Sequence, residues 1–186
     1  KEFSRTLVDL NINEKDFFKK CFEDDLFCKA LSRSISKSAI RQCKKDELIQ
    51  INSCKFISKN YGININILAP DDVRPTKDGE IIDKKEMKRR KINKDLECLK
   101  SFDGKIMGKM NGFISAKISY GNGGHQDNVF REQDEFATWW SKFKNNSDDF
   151  MVILIDTDFY QQFNRLKEKY KNIKNILIVN HIEFQQ

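Results

Sequence analysis

The chain has 186 residues, 39% hydrophobic and 33% charged, which suits one globular domain over 1–186 with a moderate core. No leader of charged-then-apolar type and no bilayer-length apolar run stands out, so no membrane partner and a soluble, cytoplasmic protein are expected. Five cysteines without a CxxC pair and only two histidines argue against a zinc site and against a disulfide scaffold, and a net charge of +6 favours an anionic partner.

Asn13 is placed to cap a helix from Glu14 to about Ser32, with Phe17, Cys21, Phe22, Cys28 and Leu31 at roughly helical spacing. This makes residues 1–37 an N-terminal helical part. A second helix, from about Ser38 to Asn60, puts Leu48, Ile51 and Ile57 on one side. Ile63, Ile65 and Ile67 then alternate with Asn64 and Asn66, the pattern of a half-buried strand.

Residues 70–98 are polar and irregular, and read as a long functional loop or a small helical insertion. They carry the charge. Residues 84–94 hold seven Lys/Arg against Glu86 alone, so the rest of the chain sums to zero. Such a cluster is the electrostatic footprint of nucleic-acid binding, with a solvated helix face as the plain alternative. Its candidate DNA contacts are Lys84, Lys85, Lys88, Arg89, Arg90 and Lys91.

Leu99 to Met107 and Phe113 to Tyr120 read as strands joined at Asn111-Gly112, a hairpin signal. A glycine-rich turn, Gly121 to Gly124, leads into a helix from about Asp127 to Lys144 with Val129, Phe136, Trp140 and Phe143 inward. The run FMVILI (150–155) is unbroken, as expected of a central strand buried on both faces. A helix with Phe159, Phe163, Leu166 and Tyr170 inward follows, and NILIV closes the chain's pattern as a last strand. The order α, α, β, β, β, α, β, α, β predicts an α/β protein with a mixed sheet flanked by helices.

In GFISAKISY, alternation turns Ser115, Lys117 and Ser119 to one face and Ile114, Ala116 and Ile118 to the other. A lysine in mid-strand is costly to bury without a partner. Asp103 lies on the neighbouring hairpin strand, where a carboxylate can face the Ser115–Lys117 segment.

At these residues the sequence resembles the PD-(D/E)xK nuclease superfamily, type II restriction endonucleases in particular. The family core is αβββαβ, the order read over residues 38–156, so the resemblance implies a restriction-endonuclease-like fold. The family's motif is an Asp at the start of one hairpin strand and (D/E)xK on the next. Asp103 in KSFDGKI and Lys117 in FISAKIS match it, while Ser115 stands where the motif acid is expected. A subset of restriction enzymes is similar, with SxK on the strand and the carboxylate drawn from the next helix. Glu132, fifteen residues after Lys117, is then the matching acid, with Glu135 as fallback.

The resemblance implies a catalytic group of Asp103, Lys117, Glu132 and Ser115, with Mg²⁺ on Asp103 and Glu132. Glu47, in KKDELIQ, matches loosely an extra helical acid of some members. Ser119, Tyr120, Asn122, His125 and Gln126 flank the glycine turn as groove or backbone contacts. The implied activity is Mg²⁺-dependent, site-specific cleavage of double-stranded DNA by a homodimer with one active site per strand. A catalytically inactive DNA-binding module and a structure-specific repair nuclease are the alternatives.

Four other stretches invite competing readings. Pro70-Asp71 with Asp83-Lys84-Lys85 matches the motif literally but reads as a charged loop. Gly121-x-Gly123-x-x-Gln126 lacks a third glycine and a following Lys-Ser/Thr, so no nucleotide cofactor is expected. Asp156-x-Asp158 reads as helix capping ahead of Phe159 rather than as a metal site. Trp139-Trp140 reads as core rather than a base-stacking platform.

Overall fold

The structure, a computed structural model, describes residues 12–25, 50–52, 54, 55, 58, 59, 61–119 and 126–185. The chain divides into two compact units, residues 1–46 and 47–186. In the first, α1 spans Glu14–Glu23; the Asn13 side chain accepts from Asp16 N at 2.9 Å, and Glu14 and Asp16 place negative charge where the first-turn N–H groups favour it. Asp24 turns extended and ends α1, and the expected continuation through Cys28 and Leu31 lies outside the described residues. Phe17 is buried, but Phe22 is 91% exposed. Five residues of helix advance the chain by about 500°, so Phe22 stands some 140° round from Phe17, roughly in line with Phe18.

The second unit is an α/β fold built on a mixed five-stranded sheet. Its strands are β1 (Ile63–Ile67), β4 (Gly104–Gly108), β5 (Gly112–Ser119), β6 (Phe150–Thr157) and β7 (Ile176–Val179), side by side in that order. β1, β4 and β5 run antiparallel as neighbours, whereas β5, β6 and β7 are parallel. The parallel pairs need crossovers, supplied by α4 (Gln126–Phe143) and α5 (Tyr160–Tyr170).

Alternation along β5 and β6 splits the core into two layers. Phe113, Met151, Ile153 and Ile155 face Phe136 and Trp140 of α4 and Phe163 and Leu166 of α5. Ile114, Ala116, Val152 and Leu154 face the opposite way and pack with Ile65, Ile106 and the helical residues Ile51 and Cys54. β6 is therefore covered on both faces, which is why its apolar run is unbroken. Each large side chain sealed in these layers contributes about 1.5–3 kcal/mol through loss of exposed apolar surface.

Residues 70–98 are neither a loop nor purely helical. They form a hairpin of β2 (Val73–Pro75) and β3 (Ile81–Asp83), followed by short helices α2 (Lys84–Arg89) and α3 (Lys94–Glu97). Ile82, Met87 and Cys98 make a small core with Ile92. Gly79 (φ 103°) turns the hairpin, and its missing side chain leaves room for the Phe143 ring, which a Cβ there would meet at 2.5 Å. Trp139 Nε1 donates to Thr76 O at 2.6 Å, so α4 and the hairpin are tied directly.

The expected strand from Leu99 starts late, at Gly104. Leu99 N and Phe102 N donate to Pro75 O and Val73 O, at 2.9 and 3.0 Å, so this stretch follows β2 before β4 enters the sheet. Among the described residues no helix is long and apolar enough to cross a membrane.

Candidate active site

The antiparallel register sets Gly104 opposite Ile114, so Asp103 stands one step beyond the paired region, level with Ser115. Its backbone N–H donates to Ile114 O at 2.8 Å, and its Oδ2 accepts the Ala116 N–H at 2.9 Å. The β5 backbone thus holds both the main chain and the carboxylate of Asp103 immediately beside Lys117. Lys117 lies on the sheet face that α4 covers, near the end of β5, and is half-buried. Its Nζ is 3.3 Å from Glu132 Oε1.

Helical geometry accounts for that pairing. Gln133, Phe136, Ala137 and Trp140 form the buried stripe of α4, and Glu132 flanks it one position earlier, at the rim of the helix–sheet contact. Glu135 is exposed, so the fallback acid points to water. Along the second half of β5 the Asp103 carboxylate thus sits on the Ala116 N–H and the Glu132 carboxylate on the Lys117 ammonium, each acid carried by a different element. The anionic donors are all oxygens, a set suited to a hard divalent cation. Among the described residues no cluster of three or more His, Cys, Asp or Glu is close enough to enclose a metal by itself.

Ser115 does not reach this rim. It is 1% exposed beneath α4, opposite Ile153 on β6, and its Oγ has no hydrogen-bond partner among the described residues. Ser119 ends β5 half-buried, paired with Thr157. Glu47, Tyr120, Asn122 and His125 lie outside the described residues, as does the Gln126 side chain.

Behind Lys117, on the other face of the sheet, lies a polar network that motif reasoning passes over. Asp156 is buried near the end of β6, where its Oδ2 accepts from Gln50 Nε2 at 2.5 Å and its Oδ1 meets His181 Nδ1 at 2.6 Å. Gln50 Nε2 also lies 3.4 Å from Lys117 O and from Leu154 O, so the network is tied to the strand carrying the lysine. The capping expectation for Asp156 is thereby corrected. Alternation turns it to the face opposite α5, and Phe159, the residue before α5, has no side-chain cap. The signal available in sequence was an acid inside an otherwise apolar strand. Burial, and then the Asp156 charge, push the nearby Cys54 thiol up to about 12.

The literal motif match is occupied structurally. Asp71 pairs with Arg74 and, at 2.9 Å, with Lys94; Arg74 first and Lys94 second hold its carboxyl down to about 2. Asp83 caps α2 by accepting from Glu86 N at 2.8 Å. Trp140 is fully buried and Trp139 nearly so, both within the α4–sheet core.

In the basic run, Lys84, Lys85, Lys88, Arg89, Arg90 and Lys91 are all on or just after α2 and exposed. No family model matches the chain, and neither a curated protein nor a solved structure matches it.

Proposed function

We propose that the protein is an Mg²⁺-dependent endonuclease that hydrolyses phosphodiester bonds of double-stranded DNA, of the type II restriction kind, on a restriction-endonuclease-like core. The observation that carries the reading is Lys117 Nζ at 3.3 Å from Glu132 Oε1, beside an Asp103 carboxylate anchored on the Ala116 N–H. The order helix, β1, β4, β5, α4, β6 supports it as well, since it follows the αβββαβ order of that superfamily.

Hydrolysis adds water to phosphorus and breaks one P–O ester bond, and the water's protons end on the products. Asp103 and Glu132 would hold Mg²⁺, a hard cation that prefers oxygen ligands. When bound, it supplies Lewis-acid polarisation and a more acidic water. Lys117 contributes a fixed positive charge where negative charge grows on the phosphate oxygens. The anchoring of Asp103 on the β5 backbone and of Glu132 on α4 fixes the carboxylates before substrate arrives, which is what preorganisation requires. Cutting both strands of a symmetric site would use two copies of the chain.

The test is cleavage of supercoiled plasmid with Mg²⁺. Asp103→Asn keeps an acceptor for the Ala116 N–H but removes the charge, so it should fold normally and lose cutting. Lys117→Ala should lower the rate by roughly 10²–10³. Full activity in both variants refutes the site.

A further inference from the structure

Resting on the DNA reading above, we propose that Lys84, Lys85, Lys88 and Lys91 form the surface that holds the sugar–phosphate backbone of duplex DNA, and that Arg89 and Arg90 brace that surface instead of touching DNA.

The division follows from where the acids are. Of the seven cations in residues 84–94, three are matched by carboxylates. Arg89 grips Glu86 through Nε, at 2.7 Å, and a second nitrogen. Arg90 crosses to Glu80 on the hairpin at 2.6 Å, with Glu86 at 3.8 Å, and Lys94 reaches Asp71 at 2.9 Å. The remaining four lysines are exposed and have no carboxylate within ion-pair distance among the described residues. Helical spacing explains the segregation. Lys84 and Lys88 share one flank of α2 and Lys85 its outer pole, whereas Glu86 and Arg90 share the other flank, toward Glu80. The run's uncompensated charge therefore collects on one side.

Lys91 adds an independent sign. α2 ends with Lys91 N donating to Lys88 O and Ile92 N to Met87 O, at 3.2 and 3.0 Å, and the turn puts Lys91 at φ 55°. That left-handed position is one where glycine is favoured and a side chain is strained. A lysine kept there extends the cationic flank past the helix end at a cost in stability, a pattern common to functional positions.

Lysine suits phosphate tracking: it is a point charge on a flexible stem, and it contributes attraction without reading bases. The support beneath is firm. Met87 is buried with Ile82 and Cys98, and the hairpin is bonded to α4, which also carries Glu132, through Trp139. DNA held on the lysines is thus held at a fixed offset from the cleavage residues.

The experiment is fluorescence anisotropy of a random-sequence 25-bp duplex without divalent metal, over a salt series, using the whole chain. Replacing all four lysines with glutamine should weaken binding about tenfold or more and remove about 3.6 from the slope of log affinity against log salt. Arg89→Gln should leave that slope unchanged. Lys91→Gly should raise the melting temperature while reducing the slope by about 0.9, a combination that a purely structural role does not produce. Wild-type affinity and slope in the four-lysine variant overturn the proposal, as does an equal slope loss in Arg89→Gln or tighter binding of duplex RNA than of DNA. The two readings fail separately. Lysine-dependent binding by a protein that never cuts plasmid removes the nuclease and leaves the surface; plasmid cleavage with wild-type salt dependence in the lysine variant does the reverse.

Discussion

Glu132 is the residue at which the proposed chemistry is most exposed to test, because Ser115 leaves β5 without a second carboxylate. Its Oε1 sits 3.3 Å from Lys117 Nζ, and both side chains are partly accessible, so the pair's contribution to folding is small, within about 1 kcal/mol. Glu132→Gln keeps the shape and hydrogen-bonding reach of the side chain while removing a metal-competent charge. The expected outcome is loss of Mg²⁺-dependent plasmid cutting with an unchanged melting temperature and unchanged DNA affinity. Glu135→Gln, one turn along on the exposed surface of α4, should cut like the wild type. If Glu135→Gln is the inactive one, α4 carries its acid on the wrong face for Lys117 and the assignment of Glu132 falls. Ser115→Asp, which restores the motif's acid in sequence, should destabilise the protein instead of helping. Its side chain would be buried under α4, where an ion without partners is heavily penalised.

Among the elements, β5 connects everything, and its first residue is the tightest point. A Cβ on Gly112 would lie 2.0 Å from Phe150 O, inside the β5–β6 ladder, so Gly112→Ala forces two backbones apart. The expected cost is roughly 2–4 kcal/mol, read as a lower urea midpoint without a change in slope. A midpoint within error of wild type would mean that the strands part easily there. The same element shows how much of the architecture was legible. Alternation in Ile63–Ile67, the unbroken 150–155 run and the helical spacing of Phe163, Leu166 and Tyr170 each reflect burial on a regular lattice, and a regular lattice leaves a period. The β2–β3 hairpin left none, because three-residue strands are shorter than the window in which a period can be seen. The start of β4 at Gly104 is hidden in the sequence for a related reason: Leu99 and Phe102 are apolar because they pack beside β2 and α4, and sequence does not say which partner a strand-like stretch has chosen. At the site, a mid-strand lysine and a nearby Asp were visible as local anomalies. The Gln50–Asp156–His181 network was not, since its members are 106 and 25 residues apart and only the fold brings them together.

For the molecule as a whole, two groups on opposite sides of neutrality each make stability depend on pH. Asp71 has its carboxyl lowered from 3.8 to about 2, chiefly by its hydrogen bond from Arg74. A depressed acid stabilises the fold at pH values above its unfolded pKa, and that contribution drains away as pH falls from about 4 to about 2. Cys54 behaves oppositely. Its thiol is raised from 9.0 to about 12, first by burial in the Ile51–Ile65–Val152 layer and then by the Asp156 charge. The neutral thiol is what the folded state accommodates, so its contribution is complete below pH 9 and is lost as pH rises from 9 toward 12. Melting temperature should therefore be flat from about pH 4 to 9 with respect to these two groups and fall on both sides. The two contributions lie in separate parts of the fold. Asp71→Asn should lower stability near neutrality and make the acid limb shallower, leaving the alkaline limb intact, because Asp71, just before β2, links Arg74 of the hairpin to Lys94 of α3. Cys54→Ala should flatten the alkaline limb alone, and in the wild type Cys54 should resist thiol-specific reagents at pH 8 until the protein is unfolded. Rapid alkylation of native Cys54, or an acid limb unchanged by Asp71→Asn, would place the controlling groups elsewhere.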